Sequence, residues 1–173
     1  MTQNTPDTTR NTRPSDRRNA GSERPADTRP ANARPGAGLG LDALAQRMAH
    51  GHVPARELGA LGEEYTCRML ETHGWRIVDR NWHCRYGELD VIAIDPAGTL
   101  VFVEVKTRRG HGHGTPQEAI TFRKRLTMRR SSCLWLTEKK PGMRTLRYDV
   151  VAIEIPTQGP DRMLRFTHLE GAL

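Results

Sequence analysis

Beyond residue 54 the hydrophobic positions change period three times along the chain, and each change marks a new element. In ARELGALGEEYTCRMLETHG (55–74) they recur at helical spacing, with Leu58, Gly62, Tyr65, Thr66 and Met69 on one face, Leu70 flanking it and Gly74 as the stop. On that wheel Glu63 lies on the flank and Glu64 points to solvent. WRIVDRNW (75–82) then reads as a strand with mixed faces. RYGELDVIAI (85–94) and LVFVEVKT (100–107) are the strongest strand signals, β-branched on both faces, and Asp95-Pro96-Ala97-Gly98 between them is turn chemistry. The helical period returns in 115–140, where Thr115 and Pro116 suit a helix start. Ala119, Phe122, Leu126 and Cys133 give a loose stripe there, and Pro141-Gly142 ends it. LRYDVVAIEI (146–155) is a buried strand, and MLRFTHL (163–169) fits a last edge strand. A short helix over 41–48, ended by HGHVP (50–54), precedes the whole series. The order predicts an α/β fold, α-β-β-β-α-β(β), with helices packed on a central mixed sheet.

Residues 1–40 differ in kind. They carry four Arg-Pro steps and no aromatic residue, and Met1 and Leu39 are their only large apolar side chains. Such a segment cannot bury enough surface to offset the entropy of ordering, so a disordered tail is expected there. The remaining chain divides into a short helix and linker (41–54) and one domain (55–173). The formal net charge is +7; the tail, with seven Arg against four Asp and Glu, contributes +3 of it. A basic balance favours polyanionic partners. No run approaches the ~18 apolar residues of a membrane helix, and the N-terminus lacks a secretory core. Cys67, Cys84 and Cys133 are widely spaced, so a cytoplasmic setting without disulfides or a zinc ribbon is expected.

Asp90, Glu104 and Lys106 interrupt the two best strands. Burying unpaired charge costs several kcal/mol or forces the group neutral. By strand alternation Asp90, Ile92 and Ile94 share one face, as do Phe102, Glu104 and Lys106. A hairpin that sets Ile94 opposite Leu100 and Ile92 opposite Phe102 also sets Asp90 opposite Glu104, with Cβ atoms about 5 Å apart. A purely structural sheet would avoid such a pair, whereas a divalent cation would turn its repulsion into attraction. Oxygen ligands at this spacing suit Mg²⁺, with the Val105 carbonyl nearby and the Lys106 ammonium beside Glu104 to orient water or stabilise phosphate charge. Asp, turn, Glu-x-Lys is the chemistry of metal-assisted phosphodiester hydrolysis. The competing reading is an ion pair at a frayed strand end.

GELDVIA…LVFVEVKTR resembles the core signature of the PD-(D/E)xK nuclease superfamily. The longer run (LGEEYTCRMLETHGWRIVDRNWHCRYGELDVIAID, VFVEVKTRRG, GTPQEAITFRKRLTMRR and RYDVVAIE, within 56–155) resembles the YraN-like proteins, related in fold to archaeal Holliday-junction resolvases. The resemblance implies a restriction-endonuclease-like core. It implies Asp90 and Glu104 as the motif's acids, Lys106 as its lysine and Glu63, after Gly62, as a helix glutamate joining the metal site. Leu89 stands where the motif usually has proline. Glu63, Asp90 and Glu104 would then hold Mg²⁺ or Mn²⁺, and resolvases of this fold act as dimers, which suggests a homodimer.

Arg108, Arg109, Arg123, Lys124, Arg125, Arg129 and Arg130 flank the motif in sequence and could track a phosphate backbone. Lys124 matches a basic position of the family; with Arg108, Arg109, Arg125 and Arg129 it is taken as DNA-binding. HGHG (111–114) reads as a glycine loop bordering the substrate rather than a metal site. Gln117 is a weaker contact candidate, His83 and Cys84 read as strand-end residues, and Trp75, Trp82 and Trp135 as core. Three functions follow: a Mg²⁺-dependent endonuclease acting on DNA, branched or damaged; a nucleic-acid-binding module of the same fold without turnover; and a protein-interaction factor in nucleic-acid processing, which would need neither metal nor lysine.

Overall fold

The computed structural model describes residues 34–50, 52–110, 121–142, 145–157 and 163–172. The chain divides into two units, Met1–Ala31 and Asn32–Leu173, and all described residues lie in the second. Its elements are α1 (Leu41–Ala49), α2 (Ala55–Thr72), β1 (Arg76–Cys84), β2 (Gly87–Ile94), β3 (Leu100–Arg109), α3 (Phe122–Lys139), β4 (Leu146–Ile155) and β5 (Arg165–Leu169). The α/β class and the element order follow the hydrophobic pattern.

The five strands lie in sequence order in one mixed sheet. β1, β2 and β3 form an antiparallel meander, β3 and β4 run parallel, and β5 returns antiparallel at the edge. A parallel pair needs a long crossover, and the segment containing α3 supplies it. The hairpin register is the one the apolar pairing requires, with Ile94 beside Leu100 and Ile92 beside Phe102.

Two layers of core cover the sheet. On one face Val91, Ala93, Val101, Val103, Val105, Val151 and Ile153 pack against Cys67 and Leu70 of α2. On the other, Leu89, Ile92, Leu100 and Phe102 pack against Met128 and Trp135 of α3. A third cluster joins α1 to α2 through Leu44, Met48, Leu58 and Leu61. Trp135 is buried and donates its indole N–H to Asp79 of β1 at 2.9 Å, while Trp75 and Trp82 pack at the margins of the two faces.

Three expectations need correction. The apolar stripe on α3 is misplaced: Phe122 is 81% exposed, and Leu126 and Cys133 also face solvent. The buried positions are Met128, Ser131, Ser132 and Trp135, at helical spacing but half hydroxyl, so hydrophobicity alone misplaced the face. The described helix is capped by Thr121, whose hydroxyl accepts from the Lys124 N–H; the expected start at Thr115 and Pro116, together with Ala119, lies outside the described residues.

Secondly, Glu64 does not point to solvent. It is 3% exposed and paired with Arg80 at 2.8 Å and Arg68 at 3.1 Å. A wheel assumes one covered face, but α2 is covered twice, by the sheet and by α1 with the segment before it. Thirdly, that segment belongs to the domain. Gly36 is buried, and a Cβ there would lie 2.5 Å from Leu44 and 3.0 Å from Leu61, while Leu39 packs on the same cluster. The expected tail is therefore too long at its C-terminal end; residues 1–33 lie outside the described residues.

Candidate active site

The site forms where the sheet opens. Pairing of β1 with β2 passes from Arg80–Val91 to Trp82–Leu89, which brings Asn81 across from Asp90. One step beyond Val91–Val103, the last paired residues of β2 and β3, Asp90 stands beside Glu104. Instead of a backbone pair, the Asp90 carboxylate accepts the N–H of Val105 at 2.8 Å. Asn81 itself has φ 49°, a left-handed conformation that asparagine tolerates better than most side chains.

Asp90 and Glu104 are 6% and 1% exposed, so both carboxylates are out of bulk water. Two ammonium groups converge on Glu104: Lys106 of the same strand lies 2.6 Å from Oε1, and Lys124 of α3 lies 2.8 Å from Oε2. Both are ion pairs by distance, yet neither Glu104 oxygen has a hydrogen bond of good angle among the described residues. Burial, reinforced by the negative charge of Glu104, pushes Asp90 up to about 7, against the pull of the Val105 N–H and Lys124. For Lys124, burial works downward but the Glu104 carboxylate outweighs it, so its pKa is raised.

Glu63 enters from α2. Its carboxylate accepts from the Asn81 amide, and burial raises its pKa, with smaller upward pushes from Glu88 and Glu104. The approach of α2 rests on Gly62: a Cβ there would lie 1.8 Å from the Thr107 hydroxyl, so only glycine lets the helix come this close to β3.

The structure therefore brings Asp90, Glu104, Lys106 and Lys124 together and sets Glu63 beside them on Asn81. Among the described residues no three His, Cys, Asp or Glu side chains are arranged as a ready metal cage, so the expected three-carboxylate set is not preassembled. The donor chemistry nonetheless fits a hard cation. Two adjacent buried carboxylates, one with both oxygens poorly hydrogen-bonded, match the few-carboxylate, water-rich coordination that Mg²⁺ takes.

Lys124, expected on phosphate, is found on Glu104. Arg108 continues the Glu104–Lys106 side of β3 by alternation, whereas Arg109 belongs to the opposite side, away from that line. Arg123, Arg125, Arg129 and Arg130 are exposed on α3, and HGHG and Gln117 lie outside the described residues. Asn81 escaped the sequence reading, although an asparagine inside a strand pattern was its signal.

The family model for the uncharacterised protein family UPF0102 matches residues 62–153, a span that contains every residue of this site. A UPF0102 protein of Nocardia farcinica is 57% identical over 96 residues, covering 56% of this chain and 75% of that protein. One from Mycobacterium tuberculosis is 46% identical over 116 residues (66% and 91%), and one from Bifidobacterium longum 44% over 115 (65% and 93%).

Proposed function

The chain belongs to the uncharacterised protein family UPF0102, and we propose that it is a divalent-cation-dependent nuclease hydrolysing phosphodiester bonds in DNA, with branched or damaged DNA as the candidate substrates. One observation carries this reading: two carboxylates, Asp90 and Glu104, stand side by side at a break in the sheet, with two lysines on one of them. As a purely structural device this is poor, because burial and mutual repulsion oppose the ionised pair. The order of a helix, a three-strand meander, a crossover helix and a parallel strand supports assignment to the restriction-endonuclease-like, PD-(D/E)xK group.

Asp90 and Glu104 would hold Mg²⁺ or Mn²⁺, with Glu63 alongside. The cation, when bound, supplies Lewis-acid charge at the phosphate and acidifies water. The chain's own groups do the rest. Lys106, about a third exposed, can turn its ammonium away from the Glu104 oxygen and donate to a phosphate oxygen or an attacking water. Lys124, less exposed, restrains the other oxygen and so orients the carboxylate. Arg108, with exposed Arg125 and Arg129, would meet neighbouring phosphates.

The test is a cleavage assay on linear, flapped and four-way DNA with Mg²⁺, Mn²⁺ or EDTA. Cleavage that needs the cation and is lost in Asp90→Asn and Lys106→Ala is the expected result. Binding without cleavage under every condition would replace this reading by that of a non-catalytic binding module. The closure of both lysines on Glu104, which leaves the carboxylate already neutralised, is the feature that favours the module.

A further inference from the structure

Tyr86 is an exposed aromatic residue in the two-residue turn Arg85–Tyr86 between β1 and β2. Guanidinium groups approach its ring from two elements: Arg85 lies 4.9 Å from the ring centroid, and Arg130 of α3 lies 5.8 Å away. Arg85 also donates to the phenol oxygen at 3.0 Å. A shallow, mostly apolar cavity of about 330 Å³, wide open to solvent, lies between this ring and α3, lined by Tyr86, Arg129, Arg130, Cys133, Leu134 and Thr137.

Helix α3 ties this cavity to the candidate active site. Lys124 touches Glu104, the Thr127 methyl lies 2.7 Å from where a Gly87 Cβ would be, and Arg130 reaches Tyr86. Six residues of helix separate the first contact from the last, about 9 Å along the axis. Along a duplex, where each strand advances about 3.4 Å per nucleotide, that is about three nucleotides, and fewer along an extended single strand.

We propose that the cavity receives an unpaired nucleobase of the strand whose backbone passes Asp90 and Glu104, stacked on Tyr86 with its flanking phosphates on Arg85, Arg129 and Arg130. This rests on the nuclease reading for its substrate class and narrows it to nucleic acid with a single-stranded or extruded base near the scissile bond. The chemistry of the wall selects this occupant. Every nucleobase has a flat face that an aromatic ring accepts, and in a strand its sugar joins it to anionic phosphates. An acidic peptide would satisfy the arginines but leave the ring and Leu134 without a flat partner.

The experiment is metal-free binding of a fluorescent single-stranded oligonucleotide, with EDTA present, to the full-length wild type, Tyr86→Ala and Tyr86→Phe. A second oligonucleotide carries abasic sites in place of bases. Expected are a loss of affinity of about tenfold for Tyr86→Ala, wild-type affinity for Tyr86→Phe, and an abasic penalty present in the wild type but absent in Tyr86→Ala. Since the ring is exposed, all three proteins should melt together. Equal affinity of Tyr86→Ala and wild type, or the same abasic penalty in both, overturns the proposal. So does an abasic oligonucleotide that binds wild type as well as the intact one, a result that needs no variant to fold. Because no catalysis is read, Tyr86-dependent binding in a protein that never cleaves would sink the nuclease reading and leave this site standing. Cleavage by the wild type with Tyr86-independent binding would do the reverse.

Discussion

Lys124 on α3 holds Oε2 of Glu104 on β3 at 2.8 Å, so the crossover helix is fastened to the carboxylate on which the proposed chemistry depends. Removing one partner of a buried ion pair leaves an uncompensated charge, which costs roughly 3–5 kcal/mol when nothing replaces it. Lys106 remains on the other oxygen, so Lys124→Ala is expected to cost less, about 2 kcal/mol. Arg125→Ala, on the exposed side of the same helix, should leave the melting temperature unchanged and only reduce the salt slope of DNA binding by about one contact. Thermal melts and salt titrations of the two variants check the contrast. Equal behaviour would mean that Lys124 is an ordinary surface cation.

Asp90→Asn tests the paired carboxylates. Asp90 is raised from 3.8 to about 7, so the folded state holds its proton more tightly than the unfolded chain does. Its contribution to stability is therefore present below about 4, falls as pH rises and is gone above about 7. Metal-free Asp90→Asn should lack that decline and be at least as stable as wild type at pH 8. Added Mg²⁺ should stabilise the wild type by mass action, more at pH 8 than at pH 6 because the proton competes, and should stabilise the variant little. Melting curves at both pH values, with and without Mg²⁺, read all of this. Equal Mg²⁺ shifts in the two proteins would remove the cation site.

Gly62→Ala should loosen α2 from the sheet. Its Cβ would stand 1.8 Å from the Thr107 hydroxyl, so helix or strand must move, at a cost of about 1–3 kcal/mol. The Thr107 hydroxyl is buried without a hydrogen-bond partner among the described residues, so removing it loses little. Thr107→Ala in the same chain should therefore recover most of the loss, leaving only a 3.0 Å contact to its Cβ. Denaturant unfolding of the single and double variants decides the point; strict additivity would show that the two residues do not meet.

Asp149, opposite Val103 in the parallel β3–β4 pair, ties β4 to the edge strand β5. This fully buried carboxylate accepts from Arg147, from His168 of β5 at 2.9 Å and from the Gly171 N–H at 2.9 Å. Burial alone would raise its pKa, but these donors outweigh it and the net shift is down. Its contribution is thus fully present above the unfolded value of 3.8 and fades as pH falls below it. Asp149→Ala should cost about 3–5 kcal/mol and expose β5 to faster amide exchange, with single-strand binding through Tyr86 intact. A variant as stable as wild type at pH 7 would show that the donors find other partners.

Much of this fold is legible in the residues alone. The strands expected over 85–94, 100–107 and 146–155, and found at 87–94, 100–109 and 146–155, are legible because β-branched runs bounded by turn chemistry have few other uses. The Ile92–Phe102 register followed because a slip of one residue would turn every apolar side chain to the wrong face. That same register made Asp90 and Glu104 neighbours on paper, and the fold keeps them so. Glu64, the buried face of α3 and the segment 34–40 were misread for a shared reason. Each depends on what a second element covers, and periodicity along one helix carries no information about a neighbour on its other side.

Local pattern alone therefore determined the element order, the hairpin register and the meeting of the two carboxylates, since all three are set by alternation between residues close in the chain. Only the tertiary structure decided that Lys124 turns inward to Glu104, that Asn81 holds Glu63, and that Tyr86 meets Arg130 across an apolar cavity. Those pairs lie 20, 18 and 44 positions apart. Their contacts exist because α2 and α3 dock on opposite faces of one sheet, at distances fixed by side-chain packing between elements rather than by spacing along any one of them.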